Sequence, residues 1–388
     1  MMRMLGKDYS RGELSRLVGD FSQVAGVKPY QLTEGKARGA RCVDFWTGSG
    51  FEFTVMPERG MDISQAFYQG KSLCWRSSTG DVHPHFFEPE GLGWLRSFSG
   101  GLLVTCGLTY AGFPSEDEGE KLGLHGRISH IPAEDIRINR EWRGEDYILS
   151  VEGRIRESAV FGENMVLKRK MWTKMGESRF WIEDKVENQG YRETPLMIIY
   201  HLESRLWIED KVENQGYRET PLMIIYHFNI GFPVVAEGSR LISPTTEVTP
   251  VTEESAKGKE DYARFTAPIP NFKEKVYYHR MRADEDGLVR CALVNENIEG
   301  EGFGVYLSYR IDQLPNFIQW KMMGETEYVV GMEPANCRVE GRPKERERKT
   351  LRMLKPGETQ DFSLEVGVLR ETSEIEEFER KLESSKKK

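Results

Sequence analysis

Hydrophobic and polar positions alternate over short stretches along most of the chain. RCVDFWT, GFEFTVMP, YILSVEGRI, VLKRKMWTK, FGVYLSYRI, YVVGMEP and DFSLEVGVL all alternate or run apolar over strand lengths. In the last of these, Phe362, Leu364, Val366 and Val368 share one face, while Ser363, Glu365 and Gly367 share the other. Asp286-Gly287, between VYYHRMRA and LVRCALVNEN, predicts a hairpin turn, and Pro356-Gly357 predicts another turn before the final strand. Many strands punctuated by 38 Gly and 17 Pro predict an all-β fold, a large antiparallel β-sandwich. Helix is expected only at the ends. SRGELSRLVG reads as a short amphipathic piece, and Ile375, Phe378 and Leu382 lie on one face of a C-terminal helix with Ser373 and Glu376 spaced as a capping box. PKERERK, residues 343–349, reads as an exposed loop. The expected organisation is an N-terminal extension over 1–30, the sandwich domain over 31–370, and a helix with a charged tail over 371–388.

One feature breaks this pattern. ESRFWIEDKVENQGYRETPLMIIYH, residues 177–201, recurs 26 residues later as ESRLWIEDKVENQGYRETPLMIIYH, residues 203–227, and only Phe180 and Leu206 differ. Solenoids repeat at such periods, but with several diverged copies. Two near-identical copies indicate a recent tandem duplication or a duplication in the sequence record. Each copy reads as strand, NQG turn, strand, so one is expected to be a normal hairpin of the sandwich and the other an extra hairpin exposing unpaired edges.

Composition narrows the function classes. With 19 Phe, 15 Tyr and 8 Trp the chain is rich enough in aromatics to bury a core. A formal charge of -8 argues against a nucleic-acid binder. The longest weakly polar run, GGLLVTCGLTYAGF, is too short and glycine-rich to span a bilayer. Five cysteines at wide spacing, with no CxxC, argue against a disulfide framework or zinc knuckle, and the N-terminus turns polar too soon for a signal peptide. The expected location is the cytoplasm.

Histidines and carboxylates carry the candidate chemistry. In PLMIIYHFNIGFP, Leu222, Ile224, Tyr226, Phe228 and Ile230 share one face, and Met223, Ile225, His227 and Asn229 the other. Both faces are largely apolar, so His227 is either a satisfied core residue or part of a pocket floor. Glu333 ends the apolar strand YVVGMEP, where a carboxylate is costly unless it is paired or functional, for example as a general base. Its alternatives are a loop cap or a pairing with Arg59 or Lys321. His125 stands in LGLHGRISH between Gly123 and Gly126, which permit close backbone approach, as around a ligand or in a tight turn. MPERGMDI sets Arg59 and Asp62 around Gly60, a local ion pair or a ligand-holding arginine. His83, His85 and Glu88 offer a weak metal-ligand pattern. Trp320, Tyr278 and Phe228 are either core aromatics or faces for a sugar ring. No phosphate-binding loop, dinucleotide fingerprint, nucleophile elbow or HExxH is present.

The run MPERGMDI, LGLHGRISHIPA, IIYHFNIGFPV, LPNFIQWK and GMEPANC resembles the galactose mutarotase (aldose 1-epimerase) superfamily, in a bacterial branch of undefined substrate. The resemblance extends from about Gly35 to Leu369. It implies a large β-sandwich with a sugar pocket on one concave sheet, and interconversion of sugar anomers without a cofactor. It implies Glu333 as base, His227 as acid, His125 as a ligand-positioning residue, and Arg59, His279 and Lys321 as further pocket residues. Acid and base are expected on opposite sides of the acetal. The implied partner is a small sugar, with no nucleic acid or membrane, and a homodimer is compatible with it. The chain departs from the galactose enzymes at LHG, where Arg127 replaces the usual second glycine, and around the asparagine that accompanies the middle histidine. Both departures weaken galactose and glucose as substrates. The alternatives are a metal-dependent sugar isomerase using His83, His85 and Glu88, and a carbohydrate-binding sandwich without catalysis. His201 occupies the same local sequence as His227, but LESRLWIED follows it rather than FNIGFPVV. The expectation is that His227 is the acid and His201 an exposed turn residue.

Overall fold

The computed structural model describes residues 2–4, 7–117, 119–190, 196–200, 205–298 and 300–386. It is an all-β sandwich, as the alternation predicts. One nine-stranded sheet runs in the order Glu134–Arg143, Asp146–Ser158, Asn164–Lys174, Arg179–Asn188, Arg205–Glu213, Thr359–Leu369, Glu301–Arg310, Leu288–Ile298, Arg240–Ile242. A second nine-stranded sheet runs Thr245–Pro250, Lys275–Met281, Asn316–Met323, Tyr328–Ala335, Thr220–Tyr226, Leu196–Tyr200, Cys106–Leu108. In it, Phe228–Ile230 adds to Tyr328–Ala335 and Arg352–Leu354 to Thr220–Tyr226. A five-stranded meander from Gly26 to Ser72 closes the core, with Met2, Met4 and Leu14 buried beneath it.

Period-two faces land where the sequence puts them. Phe362, Leu364, Val366 and Val368 meet Leu222, Ile224, Tyr226, Phe228 and Ile230 in the main core. Met223 and Ile225 point the other way, into a second apolar cluster with Trp75, Trp94 and Phe98. The second sheet is therefore covered on both faces.

The predicted hairpins are a different matter. In each repeat copy the first strand lies in one nine-stranded sheet and the second strand in the other, so each copy is an arch across the core. The NQG turn forms as expected, with the Asn214 side chain accepting from Gly216 N at 3.0 Å. Across the second arch Tyr226 donates to Asp210 Oδ2 at 2.8 Å. The strands on either side of Asp286-Gly287 also belong to different sheets, and so do those flanking Pro356-Gly357. Nor do the strands of either repeat copy hang outside the sandwich. Arg179–Asn188 lies parallel to Arg205–Glu213, and Leu196–Tyr200 parallel to Thr220–Tyr226, each residue beside its own duplicate.

Two local expectations also change. PKERERK is helical within Arg342–Arg348, because Arg342 and Glu345 are buried and tied to Asp117 and Thr350. The C-terminal helix buries Ile375 and Leu382 as predicted but starts at Thr372. Glu374, rather than Glu376, reaches back to a backbone N–H, that of Arg370, at 2.7 Å.

Candidate functional site

Cross-strand register builds the centre of the site. Ile225 pairs with Ala335 and Phe228 with Met332, which sets His227 opposite Glu333. Directly opposed residues on one face bring their Cβ atoms to about 5 Å. Here His227 Nε2 lies 2.9 Å from Glu333 Oε1, with Glu333 2% and His227 13% exposed. The buried carboxylate that the sequence leaves open is thus paired with His227, and neither Arg59 nor Lys321 reaches it. Gly331, two residues before Glu333 on the same face, makes room for the pair. A Cβ built there would fall 2.6 Å from Glu333 Oε1 and 2.9 Å from His227 Cε1. Gly331→Ala is expected to push the two side chains apart. Its effect should be a loss of roughly 10- to 100-fold in turnover, since misplacement of about 1 Å carries that penalty. The melting temperature should fall by only a few degrees, as for modest overpacking. A steady-state assay beside a thermal melt checks this, and unchanged turnover would show that Gly331 sets no geometry.

A cavity of about 280 Å³ opens over this pair on the face away from the main core. His125, Trp94, Phe98, Trp320 and Ile225 line it with His227 and Glu333. Leu92, Leu95 and Phe113, all substantially exposed, form an apolar rim. His125 adopts φ 57 and hangs on the edge strand, with Gly107 N donating to its carbonyl at 3.0 Å. The glycines beside it allow close approach of the protein's own backbone: a Cβ at Gly126 would meet Tyr110 O at 2.3 Å, and one at Gly123 Pro89 O at 2.0 Å. Gly112 N donates to His125 Nδ1 at 3.4 Å, which keeps the ring proton on Nε2. Burial, reinforced by the neighbouring His227, pushes the His125 imidazole down to about 3, so it is neutral at pH 7. Trp94 meets His125 edge-on at 5.0 Å and Trp320 meets His227 edge-on at 5.9 Å. Trp320 is in turn held by Glu274, with Nε1 donating to Oε2 at 2.9 Å.

The other three sequence candidates lie away from the cavity. The buried Arg59 guanidinium donates to Ser97 O and Ser129 O, both at 2.8 Å, and to Val82 O at 3.1 Å. It braces the segment that carries Trp94 from behind, because carbonyls take up its charge. His279 lies in the core, its Nδ1 3.1 Å from Thr245 Oγ1 and its Nε2 3.1 Å from Gln319 Oε1, and burial pushes its pKa down to about 4. Lys321 donates to Asp261 O at 2.7 Å and Arg264 O at 2.6 Å, and burial pushes it down to about 8. Phe228 faces the main core and Tyr278 donates to Glu340 at 2.6 Å, so of the three candidate aromatics Trp320 lines the cavity. His83 accepts from His85 N at 3.2 Å, and the Glu88 carboxylate faces Arg96 at 3.3 Å rather than the histidines. Among the described residues no three His, Cys, Asp or Glu side chains group as a metal site. His201 lies outside the described residues.

Sequence reasoning missed Trp94, Phe98, Gly331 and the apolar rim. GLGWLRSF carries no strand alternation, and a glycine's role against side chains of a paired strand leaves no local trace.

The family model for a domain of unknown function, DUF4432, matches residues 37–206 and again 203–368, the two stretches meeting where the second repeat copy begins. No curated protein matches the sequence. Among solved structures, a Klebsiella pneumoniae protein provisionally named an aldose 1-epimerase superposes with a TM-score of 0.78 at 24% identity, covering 92% of this chain and 87% of that one. A galactose mutarotase-like protein from Clostridium acetobutylicum gives 0.55 at 12% identity, covering 90% and 99%. Galactose 1-epimerase from Lactobacillus acidophilus gives 0.50 at 10% identity, covering 89% and 99%. These likenesses establish a mutarotase-like sandwich. Among the described residues no helix is long and apolar enough to cross a membrane.

Proposed function

The chain belongs to the DUF4432 family, and we propose that it is an isomerase of the aldose 1-epimerase kind, interconverting the anomers of a sugar or sugar derivative. The observation that carries this reading is the His227–Glu333 pair, 2.9 Å apart on the floor of an aromatic-walled cavity. Ring opening of a hemiacetal needs one group to take the proton from the anomeric hydroxyl and another to protonate the ring oxygen. Those two oxygens share one carbon. An acid and a base in contact can therefore serve both from one side of the sugar.

Glu333 takes the anomeric proton, the anomeric oxygen becomes a carbonyl oxygen, and the C1–ring-oxygen bond breaks as protonated His227 gives its proton to the departing oxygen. The open aldehyde turns about its C1–C2 bond. Closure then reverses both transfers on the other face of the carbonyl, with Glu333 as acid and His227 as base. Neutral His125 offers its Nε2–H to a sugar oxygen, and Trp320 and Trp94 offer apolar faces to the ring. The reaction needs no cofactor.

Exchange NMR on a panel of aldoses tests the reading: the protein should speed α/β exchange of at least one sugar well beyond buffer. No acceleration across the panel, alongside saturable sugar binding, would leave a binding protein instead.

A further inference from the structure

The repeat has a consequence for the site. Among the described residues, every strand-to-strand pairing within the two nine-stranded sheets is antiparallel except the two between repeat copies. The first copy's long strand meets Asn164–Lys174 antiparallel, and the second copy's long strand meets Thr359–Leu369 antiparallel. In the other sheet the first copy's short strand meets Cys106–Leu108 and the second copy's meets Tyr328–Ala335, again antiparallel. One copy offers both edges. A single arch therefore satisfies all four neighbours, and removing a copy takes one strand from each sheet at once. Asp210 would stand opposite Arg169, where Asp184 now stands, and Met223 opposite Leu108, where Met197 now stands.

The strand Leu196–Tyr200 lies between the strand leading to His227 and the edge strand on which His125 hangs. It separates His125 from the His227–Glu333 pair by one strand spacing, about 4.8 Å. We propose that copy number sets the width of the cavity floor: the two-copy chain takes a reducing disaccharide in preference to a monosaccharide, and a single-copy chain reverses that preference. The substrate half of this proposal rests on the sugar-isomerase reading. The structural half does not. One strand spacing is about the width of a pyranose ring, and the exposed Leu92, Leu95 and Phe113 offer the second ring an apolar rim to stack on.

Two 26-residue excisions test it. Deleting 177–202 leaves Leu206 at the position where the copies differ, and deleting 181–206 leaves Phe180. The second keeps a packed aromatic, since Phe180 stacks on Phe53 with centroids 4.6 Å apart. At least one shortened chain should be soluble and melt within a few degrees of the full chain. If both are insoluble or melt far lower, both copies are built into the core and the proposal fails.

A cysteine at Ile225, which shares a face of the sheet with the native Cys106 and is separated from it by Ile199, then reads the width without any assay. With two strand spacings between them, about 10 Å, the two thiols should not oxidise to a disulfide in the full chain, and as direct neighbours they should in the shortened one. A disulfide in both, or in neither, overturns the strand substitution. Exchange NMR with a monosaccharide and its reducing disaccharide reads the preference, which should shift toward the monosaccharide by about tenfold on excision. An unshifted preference overturns the substrate half. If neither chain accelerates any sugar while the disulfide forms only in the shortened one, the isomerase reading fails and the width inference stands.

Discussion

Glu333→Gln is expected to lower the rate of anomer exchange by about 10²- to 10⁴-fold, the usual cost of losing a general base. The amide fills the same space and still meets His227, so the fold should be retained. What it lacks is a basic oxygen to take the anomeric proton, or a proton to return on ring closure. The loss should therefore appear in kcat, while KM moves little, because the group removed acts on the reacting atoms rather than in uniform binding. Exchange NMR on an accepted sugar, with circular dichroism to check the fold, decides it. An unchanged rate would take Glu333 out of the chemistry.

The largest stability effect should come from Arg169. Its side chain is fully buried on the strand Asn164–Lys174, and it grips both oxygens of the equally buried Asp184, Nε donating to Oδ1 at 3.0 Å and to Oδ2 at 3.1 Å and Nη2 to Oδ2 at 2.7 Å. It also donates to Thr105 Oγ1 at 2.7 Å and to Gly60 O at 3.0 Å. Asp62, whose burial pushes its carboxyl up to about 7, accepts from the same Thr105. One guanidinium thus joins the first nine-stranded sheet, the meander and the segment that leads into the edge strand below His125. Arg169→Met removes the charge and leaves Asp184 without it. Breaking a buried pair in this way costs about 3–5 kcal/mol. Urea unfolding at pH 7 should show that loss, and a loss below about 1 kcal/mol would mean that water reaches Asp184. Arg169→Met combined with Asp184→Leu should recover much of the stability, since an apolar pair of similar size escapes the desolvation penalty.

Much of this protein was legible in its sequence, and the legible part has a common cause. Side-chain alternation is local, so the faces of the segments around Tyr226 and Leu364 followed from period two alone. A carboxylate at the end of a buried strand needs a reason, and that alone singles out Glu333. The NQG, Asp286-Gly287 and Pro356-Gly357 turns were equally plain, because turn residues act through their own φ and ψ.

What the turns join was not legible. A tight hairpin and an arch between sheets use the same turn residues, and which one forms depends on where each strand finds its hydrogen-bonding neighbour. Those neighbours lie far along the chain, as for Arg205–Glu213 beside Thr359–Leu369. The repeat shows the limit most clearly: identical sequences occupy different positions, and only the surrounding strands distinguish them. The same holds at the cavity. Arg59, His279 and Lys321 have the chemistry of sugar-binding residues, but backbone carbonyls, a threonine and a glutamine from distant segments already take up their hydrogen bonds. His227 and Glu333 lie more than one hundred residues apart in sequence. They meet because the ladder register sets them opposite each other and Gly331 leaves the space between, and register is a property of paired strands that neither strand carries alone.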